Sequence, residues 1–338
     1  MKVLTKILGF IILLGLVLAV IAFFMGLDIT NLRGFFSDEE AYGEMLTEET
    51  DKTINHLIID IDTRNIIVHY DDVDHISLTY YAHESKDTWT FDDSVDGTYT
   101  ITQKEKVVWM NFFNYKFTPQ EIVTIHIYLP ETIALDLNLK TSVGDVRIEN
   151  DSVITANDVK LYSNTGSIYL EMMDCKELDL KTDTGGIHID KVNASGDVTL
   201  DSDTGSINAK QLTGKAMLMK ADTGNVSLTD ISGDSLNVDV DTGKMSSINA
   251  TFSGAIIIDS STGDVILNNT LGASFDIESN TGDVKLTFAS LDNYRYDLKT
   301  DTGNIKISGL SQGNRHSTSI GDVLIKVNVD TGNIRINS

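Results

Sequence analysis

Between residues 136 and 338, apolar residues take every second position in short runs, and a tripeptide ending in Thr-Gly separates the runs. Two and four residues after each glycine stand pairs such as Ile168/Leu170, Ile187/Ile189, Val226/Leu228 and Val284/Leu286. Seven and five residues before it stand Val159/Leu161, Leu178/Leu180, Leu236/Val238 and Ile256/Ile258. Alternation with period two on both sides of a turn predicts two short strands per repeat, each burying one face. The intervening Lys, Asp, Asn, Ser, Tyr and Arg suit a face in water.

The corner glycines are Gly166, Gly185, Gly205, Gly224, Gly243, Gly263, Gly282, Gly303 and Gly332, at successive spacings of 19, 20, 19, 19, 20, 19, 21 and 29. A degenerate copy, Ser142-Val143-Gly144, lies 22 residues upstream of the first. A period near 20 over ten copies is the signature of a solenoid. Residues 136–338 are therefore expected to form an all-β parallel solenoid of about ten coils, a rod on the order of 50 Å long. The glycine fits a corner that needs positive φ or close backbone approach. The Asp, Asn or Ser two residues before it is expected to accept a hydrogen bond from the turn backbone. Gly214, Gly233, Gly254 and Gly272 mark a second corner in several coils.

Residues 53–135 alternate without repeating, as in Leu57-Ile58-Ile59-Asp60-Ile61 and Ile125-His126-Ile127-Tyr128-Leu129-Pro130. They read as a β-rich N-terminal part of the solenoid domain that caps an otherwise exposed sheet edge. The long final spacing implies extra residues near 308–320, expected to fold over the C-terminal edge.

Upstream, residues 7–27 are uncharged and mostly apolar, long enough to cross a bilayer as a transmembrane helix. Lys2 and Lys6 precede the run and acidic residues follow it, so residues 1–6 are expected in the cytoplasm and the rest outside a cell membrane spanned once. A cleaved signal peptide ending at Val20-Ile21-Ala22 is the competing reading, but the apolar run continues through Phe23, Phe24 and Met25. Residues 28–52 are rich in acids and read as a stalk or linker, with a short helix around 38–47 as its one candidate element.

The chain carries 26 Lys+Arg against 50 Asp+Glu, a net charge of −24. That excess argues against a nucleic-acid partner, which needs clustered cations. The single cysteine, Cys175, excludes an internal disulfide and a cysteine-based zinc site.

Asp-Thr-Gly is also the active-site triplet of aspartic proteases, but those need two carboxylates sharing one proton, and a repeat explains six copies without such dyads. Asp183, Asp203, Asp222 and Asp241 would stack about 4.8 Å apart. Their repulsion can be offset by turn amides or by a bridging Ca²⁺, which makes them weak Ca²⁺ candidates. Ser261 and Asn280 interrupt that column, which favours the hydrogen-bonded reading, and no other cofactor is expected. His69, His75 and His83 match no tight zinc spacing and read as exposed polar or loop positions. Trp109, Phe112, Phe113, Tyr115 and Phe117 read as an end-cap core rather than a sugar-stacking surface. Beside the turns, Arg147, Lys285, Lys306 and Arg335 are scattered outward cations.

The order of elements is specific: an N-terminal apolar span, Asp-Gly-Thr-Tyr-Thr-Ile (96–101), Ile-His-Ile-Tyr-Leu-Pro (125–130), Ser-Val-Gly-Asp-Val (142–146) and serial Thr-Gly repeats. It resembles the bacterial "putative adhesin" domains of unknown function, a group that includes LiaG-like envelope proteins, over residues 53–338. The resemblance implies an outward-facing, membrane-anchored β-solenoid, associated in some members with envelope-stress operons, and carries over no catalytic residue. Two functions follow as expectations. One is a non-enzymatic envelope protein that binds a cell-wall polymer, a surface protein or another copy of itself. The other is a carbohydrate-active β-helix enzyme, against which the short spacings leave no room for long catalytic loops.

Overall fold

The computed structural model describes residues 41–106 and 118–338, and every described element of regular structure beyond a single helical-turn residue is β. The residues of the apolar run at 7–27 and the aromatic group from Trp109 to Phe117 lie outside the described residues. Among the described residues no helix is long and apolar enough to cross a membrane.

Each repeat forms one rung of a parallel stack. In the Gly166 rung, Asp158–Thr165 runs to the corner and Ile168–Cys175 leaves it, and both pair in register with the rung above and below. The alternating residues Val159, Leu161, Ile168 and Leu170 are fully buried, as are most of their counterparts along the rod, so one continuous apolar core runs through the described residues. Identical spacing places like residues on like residues, which is the condition for an in-register parallel ladder.

The corners are tight because of their neighbours. The ten corner glycines, Gly144 and those of the Thr-Gly repeats, have φ between 142° and 158°, and a Cβ added at Gly224 would lie 1.8 Å from the carbonyl oxygen of Gly205 in the preceding rung. That carbonyl points along the stack into the space where a side chain would begin, so only glycine fits. The second corner is also close. A Cβ at Gly233 would lie 2.5 Å from the Gly214 carbonyl oxygen, and one at Gly254 would lie 2.7 Å from that of Asp234.

A third face was not evident from the periodicity, which showed two strands per coil. Six residues past the corner glycines from Gly166 to Gly263 the chain bends at a left-handed residue: Met172, Lys191, Gln211, Asp230, Asn249 and Asn269, with φ of 50° to 57°. The strand continues beyond the bend and buries Met173, Val192 and Leu212, which stack in parallel on one another. Asn and Asp tolerate this conformation, whereas for Met172, Lys191 and Gln211 it costs about 1 kcal/mol each and is held by the stack. The bend flips the alternation, so a period-two reading loses the pattern there.

Residues 53–135 contain a coil that the sequence does not reveal. His56–Ile61 and Asn65–Asp71 pair in parallel with the two strands of the Gly144 rung, and the corner between them is Asp62-Thr63-Arg64. Arg64 takes the glycine position: a Cβ on Gly144 would meet its carbonyl oxygen at 2.2 Å. In the next rung outward, Thr98–Glu105 with Thr124–Pro130, the two strands are separated in the chain by residues 106–123 rather than by a three-residue corner.

Both ends of the rod reverse the chain order. At the N-terminal end, the Arg64 rung lies inside the later rung formed by Thr98–Glu105 and Thr124–Pro130. At the C-terminal end, the last rung, Val323–Thr331 and Ile334–Asn337, is inserted between the Gly282 and Gly303 rungs. The first and last coils of the solenoid therefore have parallel neighbours on both sides. Antiparallel strands close the exposed edges: Asp87–Asp92, Ile76–Tyr80 and Leu46–Thr50 at one end, Leu310–Gly313 and Arg315–Ser317 at the other. The extra residues near 308–320 thus fold over the C-terminal edge as expected.

The acidic stalk does not extend to residue 52. Leu46–Thr50 is a strand paired with Ile76–Tyr80, Tyr42 and Thr50 are buried, and Glu49 meets His75 at 3.4 Å, so the cap begins by Tyr42. Glu44, Glu49 and Asp51 are exposed in or beside this edge strand, which composition alone cannot distinguish from a linker.

Candidate functional site

The corner glycines lie in one column, and the groups around them form three more. Inward and three residues before the glycine, Ser163 and Thr182 donate hydrogen bonds to the carbonyl oxygens of Gly144 and Gly166 at 2.8 and 2.9 Å. Thr141 serves the Arg64 carbonyl at 2.8 Å, and Thr300 that of Gly332 at 2.8 Å. These hydroxyls are almost completely buried and satisfy carbonyls that the corner turns away from water. In the same column Ala221 and Val240 carry no hydroxyl.

The turn amides are served by a different residue from the one expected. The side chain one position after the glycine accepts a bond from the amide of its counterpart in the next rung. Asp145 Oδ1 accepts from the Ser167 amide at 2.8 Å, Ser167 Oγ from Gly186 at 3.1 Å, Asn225 Oδ1 from Lys244 at 2.8 Å and Asp264 Oδ1 from Asp283 at 2.9 Å. The aspartates before the glycines face outward instead. Asp183 accepts from the Tyr162 hydroxyl at 2.7 Å, Asp203 lies 3.6 Å from Lys181, and Asp222 lies 2.8 Å from Lys220. Asp241 is exposed beside Asp239. Among the described residues, no three His, Cys, Asp or Glu side chains gather in a way that could hold a metal ion. Cys175 is buried, and burial pushes its thiol up to about 12.

Of the other singled-out residues, His83 is buried, His75 pairs with Glu49, and His69 enters the groove described below. The outward cations are less scattered than their sequence spacing suggests. Because the final rung is inserted, Arg335 lies between Lys285 and Lys306, and the three form one column. Arg335 also contacts Asp283 at 2.6 Å.

A surface groove of about 620 Å³ lies on the side of the rod near its N-terminal end. It opens where the third face begins, at Ile154–Thr155, because the two rungs beneath turn away after Asp71 and Pro130. Tyr128, His69, Arg147 and Tyr169, one from each of four successive rungs, form its wall. Their planes are stacked: His69 on Tyr128 at 5.1 Å and on His126 at 5.3 Å, Arg147 over Tyr169 at 3.8 Å, and Tyr169 on His188 at 4.8 Å. Burial, with the Arg147 charge behind it, holds the His188 imidazole below its ordinary range. These two stacks, His69 with Tyr128 and His126, and Tyr169 with Arg147 and His188, join residues of different rungs 19 or more positions apart, so they have no local sequence signal.

The architecture is that of an all-β parallel solenoid presenting side-chain columns on flat faces. The family model of Toastrack DUF4097 domains matches the chain twice, over residues 54–243 and 226–338. The chain belongs to that family, a domain family of unknown function. Two solved structures are similar to it. One is a "putative adhesin" from Bacteroides fragilis, 12% identical, covering 88% of this chain and 98% of that one at a TM-score of 0.37. The other is a "putative cell adhesion protein" from Clostridium sporogenes, 9% identical, covering 87% and 98% at a TM-score of 0.22. At those scores the likenesses carry no argument about activity. No curated protein matches the chain.

Proposed function

We propose that this is a single-pass membrane protein of the bacterial envelope whose solenoid stands outside the cell as a non-enzymatic, adhesin-like binding or scaffold rod, acting in the response to envelope stress. The observation that carries the binding role is the uninterrupted ladder: every Thr-Gly corner is tight, and the faces are flat columns of side chains on a continuous core. A preorganised flat surface suits repeated contacts better than it suits a catalytic cleft. The apolar run at 7–27, with Lys2 and Lys6 before it, supports the anchor and its orientation. The net charge of −24 disfavours anionic partners unless divalent cations intervene.

The test has two arms. Protease added to intact cells whose outer face is accessible should digest the solenoid and spare a reporter fused before Met1; the opposite pattern reverses the topology. Full-length protein incubated with cell-wall polysaccharide should release no fragments. Release that is abolished by substituting one acidic pair would make it a carbohydrate-active enzyme instead.

A further inference from the structure

We propose that the groove beside Tyr128, His69, Arg147 and Tyr169 binds a short glycan of neutral or amino-bearing sugars; this rests on the adhesin-like reading above. The groove has two unmet polar groups in its lining. Tyr70 is nine-tenths buried, and its hydroxyl has no hydrogen-bond partner among the described residues; Asn150 Oδ1 is likewise buried and without one. Buried polar groups are normally paired, so an unmatched hydroxyl and amide oxygen in one groove call for a ligand that brings both donors and acceptors.

The charges narrow the class. Asp71, Glu131, Asp151 and Glu171 line the groove, and its cation, Arg147, is already bonded to Asp145 at 2.8 Å. Acceptors dominate, so hydroxyls and amines are favoured, and uronic acids or polymer phosphates are repelled. The groove crosses four rungs, about 14 Å, the length of a short oligosaccharide. Its volume lies within the range of small-ligand sites.

The wall is preorganised. The ring faces of Tyr128 and Tyr169 stack on neighbouring rungs, so their edges and polar atoms are held in fixed positions without a ligand. A cationic peptide fits less well. Strand addition needs an open edge, and at this wall Val146–Glu149 is paired on both sides. The two-residue strand Ile154–Thr155 is too short to template a peptide.

The test is calorimetric titration of full-length protein in detergent with pentamers of N-acetylglucosamine, glucosamine and galacturonate, and with oligolysine. The first two should bind and galacturonate should not. Tyr70→Phe should weaken binding about tenfold without lowering the melting temperature, since it deletes an unpaired hydroxyl. Glu171→Gln, a conservative change at the rim, should weaken glucosamine binding more than that of the neutral pentamer. Binding by neither sugar, binding by oligolysine alone, or unchanged binding in Tyr70→Phe overturns the glycan site. The topology experiment stands or fails separately, so loss of this site leaves the anchored-rod reading intact.

Discussion

Arg64 and Asp87 form an ion pair at 2.6 Å with both side chains 2% exposed, 23 positions apart in the chain and inside the N-terminal cap. Arg64 Nη1 also donates to the Thr63 carbonyl at 2.7 Å. Asp87 Oδ1 accepts from Gln103 Nε2 at 2.9 Å, and its Oδ2 accepts from the His83 amide at 2.8 Å. Gln103 Oε1 in turn accepts from the Asp62 amide at 3.0 Å, so the corner that lacks glycine is tied through one carboxylate to the edge strand Asp87–Asp92 and to the outer rung strand Thr98–Glu105. Removing one partner leaves the other charge buried. Asp87→Asn or Arg64→Ala should therefore cost about 3–5 kcal/mol, measured by urea unfolding. The double variant Arg64→Met/Asp87→Leu should recover much of that loss.

The corner carbonyls make alanine intolerable in the glycine column. Gly224→Ala places a Cβ against the Gly205 oxygen and should destabilise by about 3 kcal/mol or more. Gly309, with φ of 78° and nothing within 4 Å of an added Cβ, provides the control. Gly309→Ala should cost only about 1 kcal/mol, the expense of the backbone conformation alone. Equal losses in thermal melts of the two variants would contradict this account of the corner.

The inner hydroxyls predict changes of opposite sign in one column. Ser163→Ala leaves the Gly144 carbonyl buried without its donor and should cost about 1–3 kcal/mol. Ala221→Ser, at the same position three rungs away, supplies a donor towards Gly205 and should gain about 0.5–1 kcal/mol. Denaturant midpoints of both variants against the parent protein check the pair.

Asp239 is raised above the ordinary carboxylate range by burial first, then by Asp241 and Asp259. A raised carboxyl favours the folded state while protonated, and that contribution disappears as pH climbs through its folded pKa. Asp239→Asn should therefore raise the melting temperature at pH 7 by a small amount, since the site is partly solvated. Below the unfolded value near pH ~3.9 the variant and the parent should melt together.

Asp183, Asp203 and Asp222 already contact Tyr162, Lys181 and Lys220. Thermal melts with excess Ca²⁺ and with chelator should coincide, because these carboxylates have partners within the chain. A large drop with chelator would reassign the column to the cation.

Local pattern was enough to read the repeat, its period, the inward strands on either side of the corner and the glycine requirement. Those features recur within about 20 residues and follow from backbone geometry and alternation. The sequence also placed extra residues over the C-terminal edge, because a spacing of 29 cannot fit one coil. The third face carries no continuous period-two signal because a left-handed residue, such as Met172 or Lys191, reverses the alternation.

Everything that depends on which rung lies beside which was left to the tertiary structure. Arg64 stands in a glycine column beside an outer rung whose strands lie far apart in the chain, separated by residues 106–123. Arg335 joins Lys285 to Lys306 only because the last coil slips inside the one before it. The groove assembles Tyr128, His69, Arg147 and Tyr169 from four rungs whose chain order differs from their stacking order. A period fixes how coils pack on their neighbours, but end rungs exchange places according to which order covers their open edges, and that is settled by long-range pairing rather than by any local run of residues.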